Sequence, residues 1–168
     1  VYCDAKRTAE TLCSIYRSSF RLPISTIRPF TFTGPYQSIQ NPWAINNFIN
    51  DIINGNDIRI HGDGGAKRSY LYGSDVAFWT LTSLIRGKDG GIYNLGGDQP
   101  ITHNNLANML RDISPNMVKI QYNTLFSECK KHDNLYPDMS HTKAALGVKE
   151  TWTTEQSISK TLDLFLSK

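Results

Sequence analysis

The sequence predicts a mixed α/β or α+β fold, and three observations carry that expectation. Segments with helical apolar spacing alternate with short β-rich runs along the chain. Glycine, proline and asparagine punctuate the junctions between them. The composition, 39% hydrophobic and 20% charged over 168 residues, is that of a globular protein with enough chain to bury a core. A parallel sheet made from these strands alone would be small.

Taken in order, residues 1–20 read as a helix, with Leu12, Ile15, Tyr16 and Phe20 on its apolar face and Pro23 interrupting it. Ile24–Ile27 is a short β-rich run, and Gly34-Pro35 marks a turn. Asn41-Pro42 predicts a helix start, because asparagine caps and proline loses nothing where its N–H would be unpaired. That helix is expected to end near Asn54, with Gly55 as its stop. Ile58-Arg59-Ile60 alternates as a strand does, and Gly62–Gly65 turns the chain into a second extended run over Arg68–Tyr72. Ala77, Leu81, Leu84 and Ile85 fall at helical spacing before Gly87, and Gly91–Leu95 reads as a strand. Leu106, Met109, Leu110 and Ile113 mark a helix capped by Thr102 and stopped before Pro115, followed by a strand over Met117–Tyr122. The stretch 123–140 reads as loop. Thr153 and Gln156 form a capping-box pattern ahead of Ile158, Leu162, Phe165 and Leu166.

Bulk properties narrow the function classes. The net charge is +3 and the isoelectric point about 8.8. The basic residues are scattered, with Lys67-Arg68 and Lys130-Lys131 among the few adjacent pairs, so a solvated surface is expected rather than a nucleic-acid interface. A mild positive excess still suits a ligand bearing phosphates. Cys3, Cys13 and Cys129 form no Cys-x-x-Cys pair, and the four histidines show no ligand spacing, so neither a disulfide framework nor a metal site is expected. A cytoplasmic location follows as the default, with no membrane span and no signal peptide. The chain opens on Val1 inside a helical pattern, which reads as a piece of a longer polypeptide.

Tyr2 and Lys6 are four residues apart and share a helix face. A phenol ionises near pH 10, too high for an efficient base at neutrality. An ammonium beside it stabilises the phenolate, so the pair can serve as a tuned acid/base. The same spacing also occurs on any helix surface, and alone it decides nothing.

The surrounding blocks decide more. Tyr2–Glu10, with Ala9-Glu10 after the lysine, resembles the active-site helix of the extended short-chain dehydrogenase/reductases that modify nucleotide sugars, the NAD-dependent epimerases and dehydratases. Arg28-Pro29-Phe30-Thr31-Phe32-Thr33-Gly34-Pro35 is similar to that family's Arg-x-x-Asn-x-Tyr-Gly-Pro strand end. Ile60–Ala77 is similar to its glycine turn and Arg-Asp-Phe-x-x-Val-x-Asp-Val-Ala block. Ile92–Gly97 and Asp138–Gly147 fit its last two blocks, in the same order.

The resemblance implies an α/β chain comprising the C-terminal portion of a Rossmann-type NAD(P)-binding fold plus the smaller α/β substrate-binding domain. Residues 1–36 would belong to the Rossmann part, and 37–168 mainly to the nucleotide-sugar-binding domain with short returns to the Rossmann sheet. It implies Tyr2 as acid/base at a sugar hydroxyl or ketone, and Lys6 as its partner and a holder of the nicotinamide ribose. Pro29 and Phe30 would lie near the nicotinamide, unless they serve strand-end packing alone. Thr31 would contact the sugar, and Trp43 would wall the pocket or the core. His61 would stack on the base, or only end a strand. Arg68 would grip the diphosphate, for which a guanidinium fork is suited, the alternative being a surface salt bridge. The helix opened at Asn41-Pro42-Trp43 could aim free N–H groups at the same diphosphate. The Gly62–Gly65 segment is expected to be a turn rather than a phosphate cradle, since no Gly-Lys-Ser/Thr follows. Asp75 is expected to cap or buttress a helix. The implied ligands are a nucleoside-diphosphate sugar and NAD or NADP, and a homodimer through the Tyr2/Lys6 helix is plausible.

Departures from the family pattern bear on the substrate. Thr31 stands where asparagine is common, Thr33 where tyrosine is usual, and Ser69 where aspartate is usual. Around Asn134-Leu135-Tyr136, where many members carry a second phosphate-binding arginine, there is none. The family's Gly-x-x-Gly-x-x-Gly turn for the NAD diphosphate is also not found in this sequence. The chain is therefore expected to supply one wall of a site and to show no turnover alone. A catalytically silent module that binds a nucleotide sugar or a partner chain is the alternative.

Overall fold

The computed structural model describes residues 1–123 and 133–167. Of the loop expected over 123–140, residues 124–132, with Cys129, Lys130-Lys131 and His132, lie outside the described residues.

Helix α1, Tyr2–Phe20, ends on Arg21, whose φ of 52° is the left-handed turn that commonly closes a helix. It buries no residue, and Leu12, Ile15, Tyr16 and Phe20 face outward. Ion pairs hold it against the strands that follow. The Arg28 Nε and Nη2 atoms donate to Glu10 Oε1 and Oε2, each at 2.7 Å, and Arg17 Nε donates to Asp89 Oδ1 at 2.7 Å.

Strand β1, Thr26–Pro29, pairs in parallel with β6, Ile92–Leu95, as the resemblance requires for the end of a Rossmann sheet. Strand β2, Phe32–Thr33, pairs in parallel with β5, Leu71–Tyr72. Between these pairs and helix α3, Gly73–Arg86, lies one core containing Leu71, Trp79, Tyr93, Leu95, Met139, Leu146 and Val148. Trp79 is completely buried there. The apolar spacing of α3 marks its outer face instead: Phe78, Leu81, Leu84 and Ile85 are all exposed. Its inward face carries Asp75, Trp79, Thr82 and Ser83. Asp75 is a buttress, its Oδ2 accepting the Thr151 N–H at 2.8 Å.

The second core lies under helix α2, Ala44–Ile53, strand β3, Ile58–His61, helix α4, His103–Ile113, and helix α6, Thr154–Leu166. Ile45, Phe48, Ile49 and Ile52 of α2 fall at i, i+3, i+4 and i+7 and are buried, the stripe expected of a helix with one packed face. Strand β8, Ile120–Asn123, pairs in parallel with β3 and starts later than the sequence indicates. Both side-chain caps expected from sequence are present: Thr102 accepts from Asn105 N–H, and Thr153 with Gln156 completes a capping box.

Two further expectations need correction. Helix α2 begins at Ala44, with Trp43 as an N-cap that makes no side-chain cap. Asn41 bends the chain ahead of it, its carbonyl accepting the Trp43 N–H at 2.7 Å, while buried Asn46 reaches back to the carbonyls of Ser38 and Asn41. The run Arg68–Tyr72 is likewise not one strand. Strand β4, Lys67–Arg68, pairs antiparallel with β7, Ile101–Thr102, whereas β5 joins the other half of the molecule. The chain crosses between them at buried Ser69-Tyr70, where a Cβ on Gly97 would lie 2.8 Å from the Tyr70 carbonyl oxygen. Only glycine lets the two backbones approach that closely. Helix α5, Ser140–Leu146, forms where the sequence marks no helix, and it closes on Gly147 at φ 68°.

Candidate active site and nucleotide cradle

Parallel strands in open α/β sheets present ligands at their carboxyl ends. The carboxyl end of β1 runs into Pro29-Phe30-Thr31, and that of β6 into Gly96-Gly97. The Phe30 N–H donates to Leu95 O at 2.7 Å, and the Thr31 carbonyl accepts from Leu71 N–H at 3.2 Å. A Cβ on Gly96 would lie 3.1 Å from the Phe30 Cβ and 2.6 Å from Pro137 Cγ, so glycine at this position leaves room for both residues beside the strand end. Thr33 is buried and donates its hydroxyl to Thr161 Oγ1 at 3.0 Å, a tie to α6 rather than a ligand contact.

Tyr2 and Lys6 project from α1 into solvent, Tyr2 being 75% exposed. The Lys6 ammonium lies 5.5 Å from the centroid of the Tyr2 ring, a cation over an aromatic face. Among the described residues no carboxylate pairs with Lys6. The Glu10–Arg28 fork begins one turn beyond Lys6 and ends one residue before Pro29, so it ties the helix of the Tyr–Lys pair to the strand end. Both partners stand in recognised sequence blocks, but their pairing is visible only in the fold. A cavity of about 450 Å³ opens farther along α1, between the helix and β1–β6, where Arg7, Glu10, Ser14 and Ile92 line it. No candidate site residue lines that cavity.

Trp43 meets Phe32 edge to face at 6.0 Å between centroids, which sets the start of α2 beside β2. His61 lies exposed at the carboxyl end of β3. Arg68 sits between two segments: Ile101 of β7 is its antiparallel partner, and Leu135 forms a bridge on the other side. Its guanidinium donates to the carbonyls of Lys67 and Asp133 and pairs with the Asp133 carboxylate at 3.1 Å. A salt bridge is thus present at Arg68.

His103, the first residue of α4, gives no sequence signal, yet burial and then the Arg68 charge hold its imidazole below the ordinary histidine range. Burial pushes the Tyr70 phenol upward despite Arg68, which rules it out as a neutral-pH base.

A further group of charges lies behind the β6 end. Glu150 accepts from Asp98 N–H, Lys143 pairs with Asp98, and Asp75 is near. Burial raises the Glu150 carboxyl above its ordinary range, and the Asp98 and Asp75 charges add to this against the Asp98 N–H and Lys143. A group whose folded-state value is raised stabilises the fold fully at pH below its unfolded value and loses that contribution as pH rises through the folded value. Glu150→Gln keeps an acceptor oxygen without the charge. The variant is expected to melt above the wild type at neutral pH, with the difference closing below the ordinary glutamate range. Melting curves across that interval check it; a difference independent of pH contradicts it.

The model of the NAD dependent epimerase/dehydratase family matches residues 1–96, more than half of the chain. The chain belongs to that family. Among curated relatives, mouse dTDP-D-glucose 4,6-dehydratase is 27% identical over 168 residues, covering 98% of this chain and 47% of its own length. UDP-glucuronic acid decarboxylase 2 of Arabidopsis thaliana is 29% identical, with 98% and 36% covered. The solved UDP-glucose 4-epimerase of Thermotoga maritima, a complex with UDP-glucose, superposes with a TM-score of 0.87 at 22% identity, covering 97% of this chain and 52% of that one. That likeness establishes the Rossmann-type α/β architecture. This chain spans about half the length, or less, of the curated relatives it matches. No helix among the described residues is long and apolar enough to cross a membrane.

Proposed function

We propose that this chain supplies the acid/base pair and the nucleotide-sugar cradle of an NAD(P)-dependent epimerase, dehydratase or related nucleotide-sugar enzyme. The observation that carries the reading is the Tyr2–Lys6 pair, solvent-facing and tied through Glu10–Arg28 to the strand end at Pro29-Phe30-Thr31. In this reading Tyr2 takes a proton from a sugar hydroxyl as the C–H bond beside it gives up a hydride, and returns the proton in the reverse direction. NAD or NADP, when bound, accepts and returns that hydride. Lys6 is the partner of Tyr2 and holds the nicotinamide ribose, while Pro29 and Phe30 pack beside the nicotinamide. Thr31 and Trp43 face the sugar, His61 the base, and Arg68 the diphosphate, assisted by the N–H groups at the start of α2.

The dinucleotide diphosphate is bound chiefly by a half that this chain does not contain. The outward apolar faces of α1 and α3 support contact with such a half, and α1 also supports a homodimer. The same faces favour the second reading, a silent module that pairs with another chain. The free Cys3 and Cys13 suit a reducing, cytoplasmic setting, and neither nucleic acid nor membrane is assigned as a partner.

The test is turnover. The chain alone, given NAD and UDP- or dTDP-glucose, is expected to be inactive. The same chain joined to the dinucleotide-binding half of a family member is expected to oxidise or rearrange one of these sugars. Activity of the isolated chain contradicts the division of labour; inactivity of a folded, NAD-binding chimaera contradicts the catalytic reading and favours the silent module.

A further inference from the structure

We infer that Asp133 is an intramolecular competitor for Arg68, occupying the guanidinium edge that an anionic ligand would use; the inference rests on the reading of Arg68 as the diphosphate-binding residue. The segment 133–135 lies along β4, held by Lys67 N–H donating to Asn134 Oδ1 at 2.9 Å and by Leu135 N–H donating to Lys67 O at 3.1 Å. This places Asp133 against Arg68 with two different functions. Its main-chain carbonyl, together with the Lys67 carbonyl at 2.9 Å, receives Nη1 and fixes the plane of the guanidinium. Its carboxylate receives Nη2 at 3.1 Å.

The two ends of the pair differ in environment. The Arg68 side chain is 20% exposed, whereas that of Asp133 is 88% exposed. An exposed carboxylate is cheap to detach because water takes its place. The guanidinium, held by main-chain carbonyls that no side-chain change removes, keeps its aim when the carboxylate leaves. An incoming diphosphate therefore exchanges for Asp133 on a prepared donor and does not have to orient a mobile one. The exchange is favourable only for a ligand with more negative charge, or better bidentate geometry, than one carboxylate. The pair thus lowers affinity for every anion and rejects singly charged ones most.

The experiment is calorimetric titration of the full chain with UDP, comparing wild type, Asp133→Asn, Arg68→Ala and the double variant. Asparagine retains the main-chain contacts and removes only the charge. Asp133→Asn is expected to tighten UDP binding about two- to five-fold, the range of an exposed ion pair expressed as a ratio. The gain is expected to vanish in the Arg68→Ala background. UDP binding that Asp133→Asn leaves unchanged or weakens overturns the competition while leaving Arg68 as the anchor. A gain that persists without Arg68 shows a general charge effect and overturns it as well. Wild-type binding that Arg68→Ala does not alter, or no binding by wild type and Asp133→Asn, overturns the Arg68 reading and the competition with it.

Discussion

Tyr2→Phe, in this chain joined to a dinucleotide-binding half, is expected to lower kcat by about 10²–10⁴-fold, the range contributed by a positioned general acid/base. The substitution removes one hydroxyl from a side chain that is 75% exposed, so no buried contact is lost and the fold should be unaffected. The phenylalanine ring still offers Lys6 an aromatic face, so the ammonium keeps its neighbour. KM for the nucleotide sugar should change little, because the groups assigned to the nucleotide lie on β3, β4 and the start of α2. Lys6→Met is expected to differ in kind: it removes the cation over the Tyr2 ring and weakens cofactor binding together with rate. Steady-state kinetics at varied cofactor concentration distinguish the two variants. A Tyr2→Phe chimaera that keeps kcat within about threefold of the parent, well short of the general acid/base range, removes Tyr2 from the chemistry.

Much of the architecture was legible because the signals are local. The extent of α1, the Thr102 cap, the Thr153/Gln156 capping box and the Gly55 stop each depend on residues within a few positions of one another. The α2 stripe was readable as a helix, but its first residue was not, since Asn41 caps nothing and Asn46 from inside the helix fastens the preceding loop. Periodicity also shows that a helix has an apolar face without saying what covers it. Leu81, Leu84 and Ile85 satisfy the pattern yet face outward, and Trp79 with polar Asp75 and Ser83 faces the core. The break at Ser69-Tyr70 depends on the close approach of Gly97, a tertiary contact that no local window contains.

For the candidate site, sequence blocks named Tyr2, Lys6 and Arg68, and contained Arg28 without a role for it. Chain folding was needed to pair Arg28 with Glu10 and to set Asp133 on Arg68. His103 entered through its place at the start of α4, beside a strand pair that no periodicity marked. The departures at Thr31 and Thr33 separate on the same ground. Thr33 is turned into the core against Thr161, whereas Thr31 follows the open end of β1.

Arg68→Ala is expected to reduce nucleoside-diphosphate binding by the chain on the order of 10–100-fold, because charge-assisted hydrogen bonds each contribute about 1.5–3 kcal/mol. The loss should fall on the diphosphate and not on one base, since a guanidinium reads phosphate oxygens. It should also shrink as ionic strength rises, in proportion to the screened charge of the wild-type contact. His103 provides an internal reporter: removing the Arg68 charge should raise its imidazole pKa toward the ordinary range without reaching it, because burial is the larger cause and remains. The central claim is that this chain is the nucleotide-sugar half of its family's fold. Its most direct test is titration of the folded wild-type chain and Arg68→Ala with UDP and dTDP. Saturable binding of at least one of them, largely lost in the variant, is the expected result; binding that Arg68→Ala leaves intact, or none to either protein, would contradict the account.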